Sequence, residues 1–117
     1  MVDCIGIVVG ILSAALTVPV STEIPEGRPD RFVLVSLDGD SSTEFVLRPR
    51  ISLTCWGQTD RDAMGIAVSA LHALQEAAMD HALLSAAELE SMSRDEWTRT
   101  GQGRYVSLVT LTVNTEE

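Results

Sequence analysis

From residue 4 to residue 20 the chain carries no charged side chain, and most of that stretch is aliphatic. A run of this kind has to be buried in a core, inserted in a bilayer or removed as a leader. It falls short of the roughly 20 residues that a spanning helix needs, and Gly6, Gly10, Ser13 and Thr17 interrupt it. Asp3 is the only charge ahead of it, so the basic start of a secretory leader is missing. The run is therefore read as a buried helix over residues 3–16, in a protein expected in the cytosol of the cell that makes it. Val2, Ile5, Val9, Leu12 and Leu16 would form its core stripe, widened by Ile7, Val8 and Ile11.

That helix needs something to cover. The chain has 117 residues, the size of one domain, so residues 1–117 are taken as a single unit ending in an acidic tail over 114–117. Aromatic residues make up 4% of the chain, and the core must be aliphatic. Val18, Val20, Thr22 and Ile24 alternate with polar residues at the period of a strand, with Pro19 marking an edge or a start. Residues 31–37 are apolar on both faces and predict a central strand. Asp38-Gly39-Asp40-Ser41 carries a hairpin-turn signal. Residues 45–56 predict the longest strand, with Pro49 interrupting its ladder. Phe45, Leu47, Ile51, Leu53 and Cys55 would share one face; Arg48, Arg50, Ser52 and Thr54 would share the other, together with Val46 and Trp56.

Thr59 or Asp60 can cap a second helix, which Met64, Ala67, Val68, Leu71, Leu74 and Ala78 extend to about residue 82. Residues 85–97 fit a helix by propensity and a short strand by alternation. Gly101-Gln102-Gly103 reads as a loop, and residues 105–113 as a last strand. The order is helix, three strands, helix, an element open between helix and strand, and a final strand: an α+β domain, which reads α-β-β-β-α-β-β where the open element is a strand. A mostly antiparallel or mixed sheet of four to five strands would carry both helices on one face.

The chemistry on offer is sparse. His72 and His81 are nine apart and face nearly opposite sides of a helix, so they cannot share a metal. Cys4 and Cys55 lack metal-ligand spacing and sit among apolar residues, which predicts buried free thiols. Cys55 with His72 would be needed for a thiol nucleophile, but Cys55 belongs to an apolar strand face. Asp38, Asp40 and Glu44 begin like a calcium loop that lacks its remaining ligands and its middle glycine. Gly101-Gln102-Gly103 lacks the third glycine and the helix of a dinucleotide fingerprint. No catalytic residue, cofactor or metal is expected.

Charge is more informative. Seventeen acids oppose eight bases, all arginine, for a formal net charge of −9. Such a surface repels phosphate and argues against nucleic-acid binding and against docking on anionic membranes. Half the bases, Arg28, Arg31, Arg48 and Arg50, fall between positions 28 and 50. They either pair with local acids on a solvated sheet edge or meet acids of a neighbouring copy, since arginine suits interface ion pairs.

Several runs, taken in order, carry a family likeness. Val18-Pro19-Val20-Ser21-Thr22-Glu23-Ile24-Pro25 leads into Arg28-Pro29 and Arg31-Phe32-Val33-Leu34-Val35. Arg48-Pro49-Arg50-Ile51-Ser52-Leu53-Thr54-Cys55-Trp56-Gly57 follows, then an Ala-rich helix from Asp60, and Arg104-Tyr105-Val106 opens the last strand. Over residues 3–113 the chain resembles the tail terminator (tail completion or minor tail) proteins of long-tailed bacteriophages and actinobacterial prophages. Residues 84–97 are richer in Ala and Glu than the strand that family places there. The family pattern nevertheless predicts a strand over 84–92, paired with 104–113.

The resemblance implies a structural assembly protein without enzyme activity or cofactor. It would form a hexameric ring on the head-proximal end of the tail tube, end tube polymerisation and offer a surface to the head completion or connector protein. DNA would pass through the pore without specific binding, no membrane would be involved, and the protein would reside in the virion tail after assembly in the bacterial cytoplasm. Arg28, Arg31, Arg48 and Arg50 would lie at the contacts with neighbouring subunits or the tube. The alternative is a monomeric or dimeric α+β binding module that uses an exposed sheet edge.

Overall fold

The computed structural model describes residues 4–24, 26–27, 29–40, 42, 47–80, 84–94 and 103–113. Their elements are α1 (Cys4–Ala15), β1 (Val20–Ser21), β2 (Phe32–Asp40), β3 (Pro49–Gly57), α2 (Asp60–Asp80), β4 (Leu84–Arg94) and β5 (Gly103–Val113). The expected α+β class and element order are both present. The five strands form one mixed sheet in the order β1-β2-β3-β5-β4. Only the short β1 runs parallel to its neighbour, pairing Val20 with Val33 and Ser21 with Leu34. Pro19 precedes it, and its carbonyl accepts a hydrogen bond from the Val33 N–H.

Alternation decides which face of the sheet is covered. Val33 and Val35 on β2, Ile51, Leu53 and Cys55 on β3, and Val109, Leu111 and Val113 on β5 are buried in one cluster. The same cluster takes in Val8 and Leu12 of α1 and Ile66, Ala67, Ala70, Leu71 and Leu74 of α2. Both helices therefore pack on one face of the sheet. The core side of α2 is offset from the expected stripe. Met64 is exposed, whereas Ala63 is fully buried, because small alanines let the helix axis come close to the strands. On α1 the deepest residues are Val8 and Leu12, with Ile5, Val9 and Leu16 only partly buried.

The start of α2 is where helix and sheet come closest. Thr59 caps the helix: its hydroxyl accepts from the Asp62 N–H at 3.1 Å and its carbonyl from the Ala63 N–H at 3.0 Å. The Asp62 carboxylate in turn accepts from the Gln58 N–H at 3.0 Å. Beneath this turn, Gly57 of β3 is paired with Gly103 of β5. A Cβ on Gly57 would run into the backbone of Asp62 and Ala63, and one on Gly103 into that of Thr59 and Asp60. Gly103, expected in a loop, is thus a strand residue that must lack a side chain.

Other expectations shift in instructive ways. Asp38, Gly39 and Asp40 continue β2 rather than turning. The register slips between Leu37 and Gly39 as Gly39 comes opposite Arg50, so Asp38 is the extra residue of a bulge. The expected longest strand is shorter: Pro49 opens β3 instead of interrupting it, and Leu47 makes only an isolated bridge to Val113. Phe45 and Val46 lie outside the described residues. The 84–92 strand is present and longer than expected, running to Arg94 and pairing antiparallel with β5. In the connector before β2, Gly27 takes a φ of 70°, the left-handed turn conformation that favours glycine.

Trp56 points to the face opposite Cys55, yet it is only 1% exposed. It pairs across strands with Phe32, ring centroids 5.7 Å apart, and the Arg104 guanidinium lies 5.6 Å from its ring centroid. Two outcomes are expected in denaturant melts. Trp56→Ala should cost about 3–5 kcal/mol, as for other packed large-to-small changes. Gly103→Ala should cost roughly 1–3 kcal/mol, because the first turn of α2 has to lift off the strand. A Gly103→Ala protein as stable as the parent would show that the helix start is not held against β5.

Candidate interaction surfaces

The face of the sheet away from the helices carries the arginines singled out in the sequence. Arg50, on β3, holds Asp38 of the β2 bulge at 3.0 Å and Glu90 of β4 at 3.3 Å. Arg48, just before β3, reaches Glu88 of β4 at 3.3 Å. The Thr110 hydroxyl of β5 donates to Glu90 and, together with Arg50, holds that carboxyl below the usual range. The hydrogen bond to Glu90 in turn raises the Arg50 guanidinium above its ordinary value, with Asp38 adding to the effect. The result is a cross-strand charge row: Asp38, Arg50, Glu90, and beside it Arg48 with Glu88.

The sign of its pH dependence follows. Glu90 is depressed in the folded state, so what it adds to stability is present above about pH 4.3, its unfolded pKa, and is lost as pH falls through the folded value. Arg48 and Arg50 are thus brought together, each on acids of its own chain. Arg31 is elsewhere, on the helix side, bonded through Nε to Asp62 at 3.1 Å. Arg28 lies outside the described residues, as do Glu44 and His81.

A second surface went unnoticed in the sequence. Where α1 ends and α2 begins, Leu16, Val18, Arg31, Arg61, Ile66 and Ser69 line an open groove of about 400 Å³. Its arginines, one in the connector before β2 and one in α2, lie 30 positions apart in the sequence, and only the fold joins them. Asp62 is the link, because capping α2 leaves its carboxylate in reach of Arg31.

The third surface is the sheet's two edges. β1 covers β2 only at Val33 and Leu34, leaving the outer side of β2 from Val35 onward without a strand among the described residues. β4 forms the other edge along its whole length, with Leu89 41% exposed on it. Its bulge between Leu89 and Ser91 and its glutamates are features that discourage indiscriminate edge pairing.

Cys4 and Cys55 are not joined in a disulfide. Cys55 is fully buried and burial pushes its thiol up to about 12, so it offers no thiolate at neutral pH. Cys4 is half-buried, less protected than its apolar neighbours predict. His72 is exposed on α2. Among the described residues no three potential metal ligands cluster, and no helix is long and apolar enough to cross a membrane.

No protein-family model and no curated protein matches the chain. What fold and surfaces define is an α+β protein whose visible assets are sheet edges, a charge row and an arginine groove.

The buried thiol generates a measurable effect. An unfolded cysteine ionises near pH 8.5, while Cys55 stays neutral in the fold to about 12. Above pH 8.5 the unfolded state therefore binds fewer protons, and stability should fall as pH rises, by up to about 1.4 kcal/mol per pH unit. Cys55→Val should flatten that alkaline slope in urea melts run from pH 8 to 10. In the native protein at pH 8 a thiol reagent should leave Cys55 unmodified until denaturant is added.

Proposed function

We propose that this chain is a tail terminator: a structural protein that closes the head-proximal end of a phage tail tube as a ring, ends tube growth and offers a surface for head joining. The observation that carries the reading is β4. Residues 84–94, whose Ala-, Ser- and Glu-rich composition fits the family poorly, form a strand on β5 where the resemblance calls for one. The α-β-β-β-α-β-β order that the resemblance implies is then complete. The acidic balance of −9 suits a pore through which DNA slides without adhering.

Ring closure requires a heterologous contact, one patch meeting a different patch on the next copy. Identical copies at −9 repel, so the contact has to bring opposite charges together locally. Arg48 and Arg50 are each about 42% exposed on the side chain, and in the ring they would share their intramolecular acids with a neighbour. The competing reading is a binding module that adds a partner strand to an edge, favoured by the uncovered outer side of β2.

Complementation scored by electron microscopy separates the two. Phage lacking this protein should make overlong or headless tails, and the parent chain should restore normal length. Arg48→Ala/Arg50→Ala, folded by circular dichroism, should restore it poorly. Tails of normal length without any copy of this protein would exclude the terminator reading and leave the edge-binding one.

A further inference from the structure

In a chain of net charge −9, the groove between the end of α1 and the start of α2 carries more arginines than acids. Arg31 and Arg61 flank it, and Asp62 is its single acid. Asp62 is already occupied, accepting from Arg31 Nε and from the Gln58 N–H. Arg31 engages it through Nε, and its side chain is about half exposed. Arg61 is exposed and forms no hydrogen bond or ion pair among the described residues. The floor is apolar, from Leu16, Val18 and Ile66, and Ser69 adds a hydroxyl at the rim. α1 ends at Ala15 on the groove's border, and the last carbonyls of a helix have no partner within it. Two guanidinium forks, a strip of apolar floor and spare backbone acceptors suit an extended peptide that brings carboxylates and its own N–H groups.

We propose that this groove takes residues 114–117 of a second copy of the chain, with Glu116 and Glu117 on Arg31 and Arg61. The inference deepens the ring reading, on which it rests for the presence of the neighbouring copy. The geometry excludes the same molecule as donor. β5 begins at Gly103, against Thr59 at the start of α2, and so at the groove's end of the sheet. Val113 lies ten residues further along that strand, about 33 Å away at ~3.3 Å per residue. The four residues that follow span at most about 14 Å. The acids therefore leave one end of the sheet while the arginines wait at the other, which is the head-to-tail arrangement of a heterologous contact. Exposed ion pairs are weak singly, so such a contact gains from repetition around a closed assembly and leaves an isolated pair of copies loosely associated.

The test uses the full chain and a fluorescein-labelled peptide of residues 110–117, followed by anisotropy at low ionic strength. The acidic peptide should bind at least about tenfold tighter than one with Gln at 116 and 117, and added salt should abolish the difference. Arg61→Glu, with an unchanged circular dichroism spectrum, should lose the acidic peptide and gain one carrying Glu116→Arg/Glu117→Arg. No binding, equal binding of the Glu and Gln peptides, or undiminished binding to Arg61→Glu would overturn the proposal. So would equal binding of an unrelated peptide of the same charge, which would make the groove a general carboxylate site. The outcome is independent of the tail assay: a failed titration beside normal tail capping removes this contact alone, and binding without any effect on tails removes the capping role alone.

Discussion

The arrangement depends on how closely the first turn of α2 can lie against the middle of the sheet. Two glycines, Gly57 and Gly103, face each other across β3 and β5 where that turn sits. The buried alanines Ala63, Ala67 and Ala70 continue the close approach along the helix. A core with few aromatic residues can be sealed only this way. Aliphatic side chains from the strands meet a helix whose inner face alternates alanines with Ile66, Leu71 and Leu74, so packing density is kept by close approach at the alanines and by volume between them. The same placement fixes the side chains around the turn. Asp62 reaches Arg31 because Thr59 caps the helix in that position, and Asp60 meets Arg94 of β4 at 2.9 Å. The sheet's two outer parts are thereby tied to one helix end.

Electrostatics then divides the surface by face. On the side away from the helices, the acids of β2 and β4 neutralise Arg48 and Arg50 across the strands, so the row is nearly balanced although the chain is not. On the helix side, Arg61 stands without such a counterpart among the described residues. In the proposed ring, where copies of net charge −9 repel one another, the balanced row would permit close approach and the groove would attract. Register would come from the second, since an unmet guanidinium discriminates between partners more sharply than one already paired.

Much of this was legible in the sequence. Period-two alternation located the buried face of β3, and the helical spacing of α2 was read with its cap at Thr59 or Asp60. The uncharged run at residues 4–20 predicted α1. What failed has physical causes. Asp38-Gly39-Asp40 has turn chemistry, but Gly39 serves there to let the Arg50 guanidinium lie close, 3.2 Å from where a Cβ would stand. Met64 fits the helical period, yet the alanine face wins because the sheet is near. Trp56 sits on the polar side of β3 and is buried all the same, through Phe32 and Arg104, which no pattern within one strand can reveal. The groove escaped notice because its charges lie in different elements and acquire a common meaning only through topology. The four sequence-marked arginines share a stretch of chain; the structure assigns Arg48 and Arg50 to one face and Arg31 to the other.

The strand order has a consequence for how the chain acquires its shape. β5 lies between β3 and β4, so the last described strand to leave the ribosome is an inner strand of the sheet. Until residues 103–113 have been made, β3 has an open flank and β4 has no strand to pair with, while α2 has only part of the surface it covers. A chain of this kind cannot condense progressively from its first residue. It must wait for β5 and then close several long loops together, which slows folding relative to folds with local contacts. During that wait the apolar flank of β3 is open to other nascent chains. A strongly acidic chain is well suited to the interval, because mutual repulsion keeps incomplete copies apart until the final strand is in place.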